Sequence, residues 1–227
     1  MIKIAVVHPS FGRPSAAFQM YRMCMERCDH PEQIEYLVGL DDNDLDVAAY
    51  RCIFSTEISL FGRLMIDAGE SRTNIQAINR LATRLSPTTE LIVAGEDDRE
   101  YPLHWDTSLL SLLEGVDNFN TPRLIGVSDG LREYGTIMQL IVNRGWYARL
   151  GYLLCPEYTG LVADLDFNEV ATRLGCIIHA PQLLFLHKHY CDGHTAIDAT
   201  YLRNNNERDK TLNEDIFYDR KIRNFDV

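Results

Sequence analysis

The sequence predicts an α/β fold, a mainly parallel mixed sheet sandwiched by helices. Three observations point there. Short β-rich runs alternate with stretches of helical spacing, the runs are apolar at consecutive positions as strands buried on both faces are, and several end in polar or acidic loops. A unit of this length buries about 70% of its unfolded surface, enough for one continuous core, so the 227 residues read as one domain.

IKIAVV (2–7) is the first strand, broken by HPSFGRP, whose Pro and Gly force a loop before AAFQMYRMCMERC takes up helical spacing. IEYLVGL (34–40) is a second buried strand and runs into Asp41, Asp42 and Asp44. RCIFST (51–56) reads as a short third strand. In GESRTNIQAINRLATRL, Ser71 or Thr73 is the N-cap of a helix with Ile75, Ile78 and Leu81 on one face. LIVAG, from Leu91, is the next strand and leads into Glu96, Asp97 and Asp98.

WDTSLLSLLE then reads as a helix, PRLIGVSDG as a strand and turn, and IMQLIVNRGWYARLG as a strand entering a short helix. YTGLVADLDFNEVATRLG is a loop carrying Asp164 and Asp166 into a helix closed by Gly175. PQLLFLHKHY is an apolar strand ending in His187 and His189, and the tail from about 195 is polar, with a short helix around LNEDIFYDRKIR.

Composition narrows the function. A formal charge of -11 argues against a broad nucleic-acid-binding surface. No run of eighteen apolar residues appears and the N-terminal apolar run is too short for a secretory segment, which predicts a cytoplasmic protein without a transmembrane segment. The cysteines at 24, 28, 52, 155, 176 and 191 lack the spacing of a disulfide scaffold and read as reduced thiols, with Cys24 and Cys28, which share a helical face, as buried structural ones.

The acidic strand end asks for an explanation. Neighbouring carboxylates repel, and burying one costs several kcal/mol unless a cation or donor compensates it. The cluster at Glu96, Asp97 and Asp98 is therefore a solvated turn or half of a cation site. A second acidic strand end at Asp41 and Asp42 favours the cation site, because ligands of parallel sheets bind beyond the carboxyl ends of the strands.

Taken in order over roughly residues 1 to 190, these features resemble the inverting GT-A-fold glycosyltransferases related to glycosyltransferase family two, which transfer a sugar from a nucleoside diphosphate carrier. The resemblance implies that the loop His8-Pro9-Ser10-Phe11-Gly12-Arg13-Pro14 wraps the nucleobase and that Asp41 or Asp42 contacts base or ribose. It further implies that Arg72 and Asn74 lie near ribose and phosphates, and that Glu96-Asp97-Asp98 is the family's Asp-x-Asp-like element, Glu96 and Asp97 toward the donor and Asp98 on the metal. Asp164, eleven residues before Gly175, matches the carboxylate residue that the family pattern has at that distance from a helix-ending glycine. His187 or His189 matches the histidine that completes the metal site. The triplet departs from the pattern in opening with Glu, which leaves the ligand open between Asp97 and Asp98. By the same resemblance, 1–106 is the mainly nucleotide-binding half, 107–190 the acceptor and catalytic half and 191–227 a polar C-terminal tail.

The implied chemistry is consistent. A departing diphosphate needs its charge neutralised, and mixed carboxylate and imidazole ligation suits Mn²⁺ or Mg²⁺. On a strand, His187 and His189 point to one side. An inverting transfer needs a base on the acceptor hydroxyl, for which Asp164 is the candidate, with Asp166 as the helix cap. Trp105, Asp106, Trp146 and Tyr147 are candidates for the sugar pocket or the core, and Arg13 and Arg72 for diphosphate contacts. The expected partners are a nucleoside diphosphate sugar and a hydroxyl acceptor, and a homo-oligomer is compatible with the sequence. The competing readings are a non-catalytic nucleotide-sugar-binding protein of the same fold and, ranked last for want of a glycine-rich triphosphate loop, a sugar nucleotidyltransferase.

Overall fold

The computed structural model describes the chain apart from residues 56, 58–62, 132–135, 189–192, 194–196 and 205–206, and the side chains of 199, 203, 204, 207 and 208. Four parallel strands come first: β1 (Ile4–Ser10), β2 (Ile34–Asp41), β3 (Arg63–Gly69) and β4 (Leu91–Ala94). They are followed by β6 (Leu124–Ser128), β7 (Ile141–Asn143) and β8 (Ile177–Leu184) in one seven-stranded sheet of order β3-β2-β1-β4-β7-β6-β8. Only β7 runs against the rest, pairing antiparallel with β4 and β6, so the sheet is mainly parallel and mixed as the sequence predicts.

Alternation along each strand builds a core on both faces. Ile4 and Val6 pack with Tyr36, Val38, Leu91 and Val93 under α1 (Pro14–Glu26), α2 (Val47–Phe54) and α4 (Trp105–Ser111). Ala5 and Val7 pack with Leu37, Ile92 and Ala94 under α3 (Asn74–Ala82), α5 (Arg144–Leu150) and α6 (Ala163–Leu174). The continuous apolar runs follow from this double coverage. Pro14 opens α1 where no N–H is needed, and the αL Gly175 closes α6 at φ 59°. Thr73 caps α3, its hydroxyl accepting from Gln76 N at 3.2 Å, whereas Ser71 serves the site below.

One strand assignment is corrected. RCIFST does not form the third strand: residues through Phe54 are the end of α2, which buries Tyr50 and Phe54 one turn apart against α1. The β-branched and aromatic content of Ile53 and Phe54 suits either state, and the i, i+4 burial decides it. The true third strand, RLMIDAG of β3, is a half-exposed edge strand pairing with β2, so it lacks the apolar run that marks its neighbours.

A separate two-stranded ribbon joins β5 (Arg99–Glu100) to β9 (Leu186–His187), antiparallel, with Arg99 opposite His187. The apolar run PQLLFLHKHY is thus split at Phe185: the residues before it end β8 of the main sheet, and Leu186 and His187 after it belong to this ribbon. The C-terminal region forms α7 (Ala199–Asn204) and α8 (Glu207–Ile222). Among the described residues no helix is long and apolar enough to cross a membrane.

Candidate active site

In a sheet of this order the chain leaves β1 toward β2 on one side and later returns to β4 on the other. This reversal opens a crevice at the carboxyl ends of β1 and β4. His8 and Ser10 reach it from β1, and Glu96, Asp97 and Asp98 from the loop after β4, where Gly95 N still donates to Val7 O at 2.8 Å. Gly95 fits because a Cβ there would stand 2.8 Å from the His8 Cβ. The acidic triplet is therefore anchored to β1 before it turns.

Asp97 faces β1. Its Oδ1 is 3.0 Å from His8 Nε2 and accepts from Ser10 Oγ at 2.8 Å, and Arg13 Nη1 lies 3.9 Å from Oδ2. His8 is fully buried, with Nδ1 2.6 Å from the Tyr36 hydroxyl. The Tyr50 hydroxyl bonds Ser10 Oγ and accepts from Arg13 N, and Asp44 accepts from Gly12 N at 2.8 Å, so the β1 loop is held to the ends of β2 and α2. Pro9 continues β1 opposite Gly39.

Glu96 and Asp98 face the other way, toward the ribbon. Lys188 N donates to Asp98 O at 2.8 Å and His187 N to Asp129 O at 3.0 Å, which brings His187 over the triplet. Its Nε2 lies 3.4 Å from Asp98 Oδ1 and 3.7 Å from Glu96 Oε2. Glu96, Asp98 and His187 each offer one ligand atom, all within 4.8 Å of one another. Arg99, buried, grips Glu96 Oε2 through Nε and Nη2 at 2.9 and 2.7 Å, and the Tyr201 hydroxyl bonds Asp98 Oδ2. Burial pushes the Asp98 carboxyl up, but His187, Tyr201 and Arg99 more than offset it and bring it down to about 2. Asp98 is thus ionised across the physiological range, and the donor set of two carboxylates and an imidazole fits a divalent cation of the Mn²⁺ or Mg²⁺ kind. Glu96 joins this cluster, whereas Asp97 belongs to the β1 network. His189 lies outside the described residues.

At the end of β2, Asp41 Oδ1 accepts from Ser71 Oγ at 2.5 Å, and Ser71 in turn accepts from Arg80 Nη1 at 2.7 Å. Arg80 also donates to Asp67 Oδ2 and Leu40 O, tying β2, β3 and α3 together under Asp41. Asp42 is outside this network, paired at 2.6 Å with Arg72 on an exposed surface. Asn74 Oδ1 accepts from the adjacent Ile75 N at the start of α3.

On the far half, α6 descends to the start of β8 through Gly175. Its first turn, with Asp164, therefore stands at the carboxyl edge of the sheet. Asp164 is half-buried and its Oδ1 accepts from Leu165 N at 2.9 Å. Asp166 is not a cap: the N-cap is Val162, without a side-chain bond, and Asp166 is buried against Arg220 Nε at 2.6 Å and the Tyr158 hydroxyl at 3.0 Å. An acid in a first turn suggests a cap from sequence alone, and the arginine that claims it lies in α8, beyond local spacing.

The aromatic candidates are core. Trp105 Nε1 donates to Cys24 O at 2.9 Å and Trp146 Nε1 to Leu153 O at 3.3 Å, both fully buried, and Tyr147 packs beside the second core. Asp106 accepts from Asp29 N and His30 N. Among the described residues Cys24, Cys28, Cys52, Cys155 and Cys176 are free thiols, and burial raises the Cys28 thiol to about 12. Sequence reasoning missed Arg99, Ser71, Arg80, Tyr50 and Tyr201, and only Arg99, three residues after Glu96, carried a local signal.

No protein-family model matches the chain, and no curated protein does. Solved structures do. Residues 1–349 of S. aureus TarS align with a TM-score of 0.63 at 10% identity, covering 81% of this chain and 59% of that fragment. The mannosyltransferase PcManGT from Pyrobaculum calidifontis, solved with GDP-Man and Mn²⁺, aligns at 0.61 and 15% identity over 82% of this chain and 56% of its own. The 4-diphosphocytidyl-2C-methyl-D-erythritol synthase of Anaerococcus prevotii aligns at 0.52 and 10% identity over 79% and 89%. The chain thus has the GT-A fold of nucleotide-sugar transferases, and it spans less than three-fifths of the length of TarS and PcManGT.

Proposed function

We propose that the chain is a divalent-cation-dependent glycosyltransferase, moving a sugar from a nucleoside diphosphate sugar to an acceptor hydroxyl with inversion. The observation that carries the reading is the cluster of Glu96, Asp98 and His187 beside Asp97 at the switch point of the sheet. The GT-A fold, and a neighbour of that fold solved with GDP-Man and Mn²⁺, support it.

In this reading the nucleoside rests on the end of β1 at His8, Pro9 and Ser10 and against Asp41, with Asp42, Arg72 and Asn74 at its outer edge and Asp97 toward the ribose. Asp97 receives two hydrogen bonds from β1 at a single oxygen, which fixes the direction of the other. Arg13 approaches the diphosphate from the loop. Glu96, Asp98 and His187 would hold the cation, which supplies positive charge to the departing diphosphate. Asp164 accepts the proton of the attacking hydroxyl, and its partial exposure suits that task better than the burial of Asp166. Residues 1–106 form the donor half and 107–190 the acceptor half.

The test is a thermal-shift panel of nucleoside diphosphates with Mn²⁺ or with chelator. One nucleotide is expected to raise the melting temperature in Mn²⁺ and much less in chelator, and Asp98→Asn is expected to remove the difference. Equal shifts in both conditions for the unmutated chain overturn the cation dependence.

A further inference from the structure

The polar tail returns to the site. Asp198, just before α7, takes Arg13 through Nε and Nη2 at 2.7 and 2.6 Å, and Thr200 Oγ1 donates to Phe11 O at 3.0 Å. The Arg13 guanidinium lies 4.3 Å from the centre of the Tyr201 ring, and the Tyr201 hydroxyl bonds Asp98 Oδ2. Tyr201 is buried by these contacts, although it belongs to a segment whose composition reads as solvated.

We infer that Tyr201 is a positioning residue of the cation site, setting which oxygen of Asp98 is offered to the ion. The inference rests on the proposed cation-dependent reading. A carboxylate has two equivalent oxygens until something distinguishes them. Here Tyr201 donates to Oδ2, and Oδ1 is the oxygen 3.4 Å from His187 Nε2. With Oδ2 held, Oδ1 points into the space shared by His187 and Glu96, and the carboxylate is fixed against rotation. Tyr201 is itself oriented by Arg13 through the ring face, and Arg13 by Asp198. The order of dependence runs from Asp198 through Arg13 and Tyr201 to Asp98. Outer-shell groups that orient metal ligands in this way contribute about ten- to a hundredfold in metal affinity.

The experiment is a Mn²⁺ titration of the full chain without nucleotide, read by the paramagnetic resonance signal of free Mn²⁺. Tyr201→Phe keeps the ring on Arg13 and removes only the hydroxyl, while Thr200→Val loosens α7 without touching Asp98. Tyr201→Phe is expected to raise the Mn²⁺ dissociation constant about tenfold or more. Thr200→Val is expected to leave it within twofold, with both variants melting alike in chelator. A Tyr201→Phe affinity within twofold of the parent overturns the inference, and so does an equal loss in both variants, which assigns the effect to the packing of α7. Absence of Mn²⁺ binding by the parent is a separate result, overturning the cation reading and this inference with it.

Discussion

His8 and Asp97 show how single residues divide an acidic cluster into two tasks. A buried histidine between a tyrosine hydroxyl and a carboxylate holds Asp97 toward β1, and Asp98, one residue on, turns to the ribbon. Three adjacent carboxylates are legible in the sequence as a site, but their directions are not. In a loop each direction is set by partners, here Ser10 and His187 from strands distant in the chain and Arg99 from three residues on. The same limit applies to Asp164 and Asp166, both acids in one helical turn, whose difference in burial depends on Arg220. Asp164→Asn is expected to lower sugar transfer by about a hundredfold, the low end of what a positioned base supplies, with donor affinity unchanged. Initial rates and nucleotide titrations on the same preparation check it, and unchanged turnover removes Asp164 from the reaction.

At the scale of elements, α8 depends on a buried ion pair. Arg220 and Asp166 have side-chain exposures of 2% and 3%, so the helix docks by sending a guanidinium into the core beside α6. Burial opposes the Arg220 charge, but Asp166 outweighs it and holds the guanidinium protonated far above its ordinary range. Removing Arg220 leaves the Asp166 carboxylate buried with no cation and only the Tyr158 hydroxyl as donor, so Arg220→Met is expected to destabilise the chain by about 3–5 kcal/mol. Urea unfolding measures the loss, and Arg220→Met combined with Asp166→Leu should recover much of it; a single-variant loss below about 1 kcal/mol would reduce the pair to a surface contact. The helices and central strands are legible because period and caps are local. The edge strand β3 is not, since it is half-exposed, and the end of α2 reads as a strand because a short apolar run fits either period.

For the whole molecule, a net charge of -11 surrounds a site proposed for an anionic donor. At low salt the overall field repels such a ligand, and salt screens the repulsion beyond about 10 Å at 0.1 M ionic strength. The association rate of the nucleoside diphosphate selected by the thermal panel is therefore expected to rise between low salt and about 0.15 M, at constant Mn²⁺. Stopped-flow mixing measures it, and a rate that falls with salt would mean that local cations such as Arg13 dominate the approach. The ribbon of β5 and β9 has a consequence in time. It pairs the stretch after the acidic turn with one from the last third of the fold, so Glu96 and Asp98 precede His187 by about ninety residues in synthesis. Such distant pairings form slowly, because a long loop must close before any contact rewards it. A chain still emerging from the ribosome therefore carries two carboxylates without their imidazole, and the proposed capture of a cation would arrive as a late event of maturation.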